Sequence, residues 1–220
     1  MNTQDLSWLS STLLADVGAL AMHSRLKPLV SGARLLGRAL TVEVPHGDNL
    51  AIHAALSVAQ PGDVIVVNGG GYLERALMGG IMMTQAKAAG LAGVVIDGAM
   101  RDTQELGSLG LAAFASGVHP AGPFKNGPGK VHTQIHCGGV VINDGDWILG
   151  DDDGVVVIAS VKLNELVTAA HQKQQREKER LDAITRGELR PKWLTSSLAS
   201  ANVHILPRAS TAQSPEALRS

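Results

Sequence analysis

The chain has few residues of several kinds, and each scarcity excludes a class of protein. It carries one cysteine, Cys137, in 220 residues. No intrachain disulfide framework can form, and a reducing compartment is expected. Aromatics make up 3% of the chain, too few for stacking platforms that hold bases. Nineteen Lys and Arg balance twenty Asp and Glu. The densest charged run, KQQREKER at 173–180, mixes both signs, so no nucleic-acid footprint is expected. No apolar run approaches the ~20 residues of a membrane span. The first ten residues lack a basic segment followed by an apolar one, so the expectation is a soluble, cytoplasmic protein with no membrane partner. A G-x-S-x-G nucleophile elbow is also missing.

What is present is a wealth of Ala, Val, Leu and Gly, which suits tight aliphatic α/β packing. The length allows one large domain or two small ones. Residues 7–22 read as a helix with Leu9, Leu13, Leu14 and Val17 on one face. Residues 38–44 alternate like a half-buried strand that stops at Pro45, and 49–60 has a helical period. Residues 61–71 (PGDVIVVNGGG) read as turn, buried strand and glycine loop. In 79–90, Met82, Ala86 and Ala89 share a helical face, Gly79 and Gly80 stand at the start, and Gly90 sits where a C-terminal cap belongs. With a strand at 94–96, residues 61–97 form a β-loop-α-β unit, the mark of an at least partly parallel sheet. A Gly/Pro loop is expected at 114–129. Short strands at 131–136, 138–142 and 154–160, with turns over 143–154, predict an antiparallel or mixed second half. A final helix from near Val161 presents Leu163, Leu166, Val167 and Ala170. Its continuation is polar nearly all round, so it is expected to reach a neighbouring subunit. Residues 209–220 are expected to fray.

The stretch VVIDGAMRDTQE (94–105) starts as core and ends in charge. If Gly79 and Gly80 open a helix, its free N–H groups attract an anion. Arg101, after the next strand, would stand at the same carboxyl edge and suit a carboxylate or phosphate. Asp102 could hold Mg²⁺, which keeps much of its water, with Glu105 as second shell or base. The alternative is that Asp102 and Glu105 form a capping box. The glycines after the 61–71 strand do not complete a dinucleotide fingerprint, because position 74 is Glu74. His132 and His136, four apart in an extended segment, would stand roughly 13 Å apart, too far for one zinc ion. His136 and Cys137 read as structural, His119 as a loop residue and 150–154 (GDDDG) as a solvated turn.

Gly80, Arg101, Asp102 and Glu105 stand in a G-(20 residues)-R-D-x-x-E pattern that resembles the RraA-like family. That family includes class II pyruvate aldolases acting on 4-hydroxy-4-methyl-2-oxoglutarate and 4-carboxy-4-hydroxy-2-oxoadipate. The likeness spans roughly residues 10–190 and includes PGDVIVVNGGG, HPAGPFKNG and GGVVINDGDWILGDDDGVVVI. It implies an α/β fold, a β/β/α three-layer sandwich like the swivelling phosphohistidine domains. One domain over 1–190 would carry a C-terminal helical extension, with a 191–220 tail partly disordered or packed on a neighbour. The resemblance implies a homotrimer or a dimer of trimers (a homohexamer) with sites between subunits. It implies that the backbone of Gly79, Gly80, Ile81 and Met82 holds a pyruvyl carboxylate and that Arg101 binds the same moiety. Asp102 would anchor Mg²⁺ or Mn²⁺, and Glu177, or alternatively Glu179, would be lent to the neighbouring site. The expected activity is retro-aldol cleavage of a 4-hydroxy-2-oxo diacid through a pyruvate enolate, with oxaloacetate decarboxylation. One departure is Gly80, where the aldolases carry aspartate. Glycine there matches RraA itself, which inhibits ribonuclease E, and makes a non-enzymatic regulator the rival expectation.

Overall fold

The computed structural model describes residues 6–206. Two compact units part between Gln175 and Arg176, and the expected fraying of 209–220 falls outside the described residues. In chain order the first unit holds α1 (Ser11–Asp16), β1 (Leu20–Ala21), β2 (Lys27–Pro28), β3 (Leu35–Glu43), α2 (Leu50–Val58), β4 (Asp63–Met78), α3 (Gly80–Ala88) and β5 (Gly93–Met100). It continues with α4 (Thr103–Leu109), β6 (Ala112–Val118), β7 (Lys130–Val131), β8 (Ile135–Cys137), β9 (Val140–Ile142), β10 (Trp147–Asp151) and β11 (Gly154–Ile158), after which α5 (Leu163–Thr185) begins.

One sheet runs in the order β1-β11-β10-β3-β4-β5-β6-β2, with β7 also paired to β3. Its centre, β3-β4-β5-β6, is parallel, as the β-loop-α-β reading required. The flanking pairs are antiparallel. Central strands buried on both faces read as continuous apolar runs. Ile65, Val67, Val94 and Ile96 pack under Ile52 and Leu56 of α2, Met82, Met83 and Ala86 of α3, and Leu106 of α4. Val64, Val66, Val95 and Phe114 face the other way, onto Ile135, Cys137 and Ile142 of the β8–β9 hairpin. Helices therefore cover one face and a two-stranded sheet the other. A third cluster joins Leu13 and Leu14 of α1 to Trp147, Leu149, Val156 and Ile158, and to Leu163, Leu166 and Ala170 of α5.

Five expectations need correction. The turns expected over 143–154 enclose a mostly buried strand, β10, which takes in Gly150 and Asp151 of the supposed solvated turn and pairs with β3 and β11. The helix expected over 7–22 is confined to Ser11–Asp16; Ser10 accepts the Leu13 N–H as its N-cap, and Gly18 takes φ 111° soon after its end. The glycines after the 61–71 strand form no separate loop. β4 runs on to Met78 with Gly69–Gly71 pulled out of register between Asn68 and Tyr72, an outpocketing that Gly70 and Gly71 permit with φ of 66° and 68°. Residues 114–118 of the expected Gly/Pro loop belong to β6. The supposed strand 131–136 is broken at His132, whose φ is 58°, and only 135–137 pairs in the hairpin.

The second unit includes Arg176 onward of α5. No residue of α5 from His171 on is buried, in keeping with its polar sequence. Arg180 closes that end by donating to the carbonyls of Glu188 and Leu189 (2.7 and 2.8 Å), and α6 (Leu194–Ser200) follows.

Candidate functional site

The strand expected at 94–96 runs on through Asp97 and Gly98: β5 is buried from Gly93 to Met100. Asp97 points to the hairpin side. It accepts two hydrogen bonds from Arg25 Nη2 (2.8 and 2.9 Å), one from Arg25 Nε (3.1 Å), one from Ser116 Oγ (2.8 Å) and one from the Gly138 N–H (2.9 Å). Burial alone would raise its pKa. These hydrogen bonds and the guanidinium charge outweigh burial and hold the carboxyl below the usual range. Asp97 is thus a structural anchor, and the chemistry begins past Met100.

Arg101 N donates to Met78 O (3.0 Å), so the chain leaves the sheet beside the end of β4, where α3 starts. Asp102 then takes a left-handed conformation, φ 60° and ψ 37°, which costs a non-glycine residue about 1 kcal/mol. It occupies the N-cap position of α4, yet its side chain makes no cap bond there. The capping-box alternative is settled by this geometry. Asp102 Oδ2 instead accepts the N–H of Gly80 (3.0 Å), the first residue of α3, and lies 3.5 Å from Arg101 Nε. A carboxylate at a helix N-terminus is favoured by the helix dipole.

Two glycines make this approach possible. A Cβ on Gly79 would overlap Asp102 Oδ2 and lie 2.8 Å from Arg101 Cγ. On Gly80 it would collide with Glu105 Oε2 and lie 3.2 Å from Glu105 Cδ. The Glu105 carboxylate therefore fills the space in which a side chain at position 80 would begin.

A cavity of about 110 Å³ opens at this junction. Gly79, Ile81, Met82, Arg101 and Asp102, all expected from sequence, line it. Arg101 and Asp102 keep 39% and 37% of their side chains exposed, open enough to meet a ligand. Ile81 is 85% exposed. Gly80 contributes its N–H to Asp102, which leaves the N–H groups of Ile81 and Met82 as first-turn donors without an intrahelical acceptor. Glu177 and Glu179 are exposed on α5 in the second unit and are not among the residues lining the cavity.

Three polar residues of the lining had no role in the sequence reading: Asn49, His53 and Lys125. Asn49 and His53 lay in a segment read only for its helical period. Lys125 lies inside HPAGPFKNG, a stretch with no ligand-binding spacing of its own.

The remaining histidines do not form a second centre. His132 Nδ1 meets Asp144 Oδ2 at 2.8 Å, and the other oxygen of Asp144 accepts the Thr41 N–H (3.0 Å). Cys137 is buried, its Sγ bonded to Val67 O (3.4 Å), and burial pushes its thiol pKa up. Among the described residues no group of three or more His, Cys, Asp and Glu could hold a metal ion, and no helix is long and apolar enough to cross a membrane.

Comparison with known proteins gives this geometry a family. The model of the RraA-like family, described as Aldolase/RraA, matches residues 10–157. A protein of Halalkalibacterium halodurans named "Putative 4-hydroxy-4-methyl-2-oxoglutarate aldolase" is 38% identical over 179 residues, covering 80% of this chain and 85% of that protein. One of Burkholderia multivorans with the same name is 36% identical over 158 residues, 72% of this chain and 96% of its own. The solved RNA-processing inhibitor RraA from Thermus thermophilis superposes with a TM-score of 0.64 at 33% identity, over 68% of this chain and 92% of that one. The chain belongs to the RraA-like family.

Proposed function

We propose that the protein is a divalent-metal-dependent lyase that cleaves 4-hydroxy-2-oxo diacids to pyruvate by retro-aldol reaction, and that it also decarboxylates oxaloacetate. The observation that carries this reading is the convergence of Arg101, Asp102 and the α3 N-terminus on one small cavity, with the Glu105 carboxylate against Gly80.

The residues suit a hard, hydrated cation. Asp102 Oδ2 is engaged by Gly80, while Oδ1 accepts no hydrogen bond among the described residues. Mg²⁺ or Mn²⁺ held by one carboxylate keeps most of its waters. Bound there, the ion would supply Lewis acidity to the 2-oxo acid. The chain's own groups do the rest. The N–H groups of Ile81 and Met82 bind the substrate carboxylate at the helix terminus. Arg101 pairs with the same pyruvyl moiety and stabilises the enolate oxygen as the C3–C4 bond breaks. A base takes the 4-hydroxyl proton, C4 becomes a carbonyl, and the bonding pair enters the enolate, which is protonated at C3 to give pyruvate.

Within this chain Glu105 is the carboxylate placed for that base. It fills the volume beside position 80, where the aldolases that this sequence resembles carry aspartate. Glu177, lent by a neighbouring copy in a homotrimer or dimer of trimers, is the second source of a base. Oxaloacetate needs no hydroxyl deprotonation, since CO₂ leaves directly to the same enolate. The layering of helices and hairpin on opposite faces of the sheet supports the likeness to the swivelling phosphohistidine domains.

Pyruvate release, coupled to lactate dehydrogenase, tests the reading with oxaloacetate and 4-hydroxy-4-methyl-2-oxoglutarate in Mg²⁺ and in EDTA. Turnover is expected in Mg²⁺ alone, and Arg101→Ala and Asp102→Ala should each abolish it. Normal rates in either variant would overturn the assignment. Gly80 and the likeness to RraA favour a second reading, a protein that masks a ribonuclease. Co-elution with a ribonuclease E scaffold, together with no pyruvate release, would establish that one instead.

A further inference from the structure

The cavity lining holds polar groups beyond the enolate machinery. Lys125 lines it and makes no ion pair or hydrogen bond among the described residues. His53 stands on the same lining. Two cationic side chains, Arg101 and Lys125, thus share the lining with one carboxylate, Asp102. A pyruvyl carboxylate at the α3 terminus occupies Arg101 and leaves Lys125 without a counter-ion.

Lys125 is exposed, but the backbone that carries it is held in place. After Lys125 the loop is fixed by Asp48, which is 2% exposed. Asp48 accepts the N–H groups of Asn126 and Gly127 at 2.8 Å each and that of Leu50 at 2.9 Å. Burial alone would raise the Asp48 pKa, and these three backbone donors reverse that and lower it. Phe124 donates its N–H to Gly47 O (2.8 Å) and accepts that of Asn49 (3.0 Å). Its ring lies 4.0 Å from the Arg75 guanidinium carbon, and Arg75 donates to Gly122 O (2.7 Å). A loop clamped this way gives the ammonium a fixed origin, which lowers the entropy lost on binding an anion.

Asn49, also in the lining, adds an independent sign that this cavity receives a ligand. Its Nδ2 donates to Leu77 O (2.9 Å) and Met82 Sδ (3.2 Å), which fixes the orientation of the amide. Its Oδ1 is the one buried side-chain N or O atom, among the described residues, that finds no partner. Such an acceptor costs about 1–3 kcal/mol unless a donor reaches it. A ligand hydroxyl would be that donor.

We infer that Lys125, with His53 beside it, is the specificity-determining pole for a second carboxylate, so that the cavity selects 2-oxo diacids over 2-oxo monoacids of the same length. The inference rests on the lyase reading for where the first carboxylate sits, but it can be tested without turnover. Titration calorimetry in Mg²⁺ compares 2-oxoglutarate with 2-oxopentanoate, which lacks only the second carboxylate. The wild type should bind the diacid at least tenfold tighter, and Lys125→Met should lose that preference while Lys125→Arg retains much of it. Equal affinity in the wild type, no binding of either acid, or an undiminished preference in Lys125→Met overturns the inference. Kinetics give the second arm. The ratio of kcat/KM for 4-hydroxy-4-methyl-2-oxoglutarate over 4-hydroxy-2-oxopentanoate should fall ten- to a hundredfold in Lys125→Met, and an unchanged ratio counts against it. A diacid preference without any pyruvate release refutes the lyase reading and leaves the ligand class standing. Pyruvate release without a diacid preference refutes the inference alone.

Discussion

Replacing Gly80 by aspartate would push a second carboxylate into space that Glu105 already fills. The new Cβ would collide with Glu105 Oε2 and lie 3.2 Å from its Cδ, so Glu105 must swing away. The steric cost is small, because the colliding atom is the far end of a flexible, exposed side chain. About 1 kcal/mol is a fair measure of such overpacking. Charge adds to it. Two carboxylates ~4 Å apart repel by about 1 kcal/mol in water and about 4 kcal/mol at the effective dielectric of a protein surface. Asp102 Cβ is 3.7 Å from the same point, so a third carboxylate shares the site. Gly80→Asp alone should therefore lose activity, with Glu105 displaced and the local field wrong for an enolate. Glu105→Ala alone should lose it as well, because the base is gone. Gly80→Asp/Glu105→Ala restores one carboxylate to one volume and relieves the repulsion. Its kcat/KM for 4-hydroxy-4-methyl-2-oxoglutarate should exceed that of either single variant. A coupling of about 1–3 kcal/mol is expected across the cycle, as found for residues in contact. Oxaloacetate decarboxylation needs no hydroxyl base and is the control. Glu105→Ala should slow it much less than it slows aldol cleavage. Additive effects, or equal losses on both substrates, would refute the idea that Glu105 and a side chain at position 80 exchange roles.

Gly79→Ala would strike harder, because its Cβ meets Arg101 Cγ as well as the Asp102 carboxylate. A drop in kcat of at least tenfold, with the melting temperature lowered by only a few degrees, is the expected outcome, and wild-type kinetics would contradict the packing argument. Asp97→Ala strips the acceptor from Arg25, Ser116 and the buried Gly138 N–H. It should cost about 2–3 kcal/mol by urea titration, less than a fully buried pair because Arg25 is 44% exposed. The folded pKa of Asp97 lies below its unfolded value of about 4. Its stabilisation is thus complete above about pH 4 and lost as pH falls through the lower folded value. Between pH 5 and pH 2 the wild type should lose more stability than Asp97→Ala, and parallel losses would show that the pair carries no such linkage. Asp48→Asn weakens two backbone hydrogen bonds that hold the Lys125 loop and a third at the start of α2, and should raise KM for the diacid more than it lowers kcat. A pure kcat effect would place Asp48 outside substrate binding.

What could be read from the sequence, and what could not, divides along the range of the interactions. The β4-α3-β5 unit was legible because apolar periodicity, the Gly79–Gly80 start and the Gly90 cap are local signals, and so was the placing of Arg101 and Asp102 at the sheet's carboxyl edge. The strand expected at 94–96 stops short of Asp97 because an aspartate inside a buried strand makes sense only with its partner, and Arg25 lies 72 residues away in sequence. The glycines of β4 looked like a loop because nothing local shows that a strand resumes at Tyr72 and pairs with Gly98. Asp102 is the most instructive case. Its D-x-x-E spacing fits a capping box, and it does stand at the start of a helix. Yet a left-handed backbone turns its carboxylate to a different helix, onto Gly80 twenty-two residues earlier. Asn49 and Lys125 carry no motif at all, and only the clasp between Asp48 and the 126–127 backbone brings them to the cavity. The residues that would do the bond-breaking were therefore marked in the chain by spacing. Those that would choose the substrate became visible only when two segments far apart in sequence were seen to share one wall.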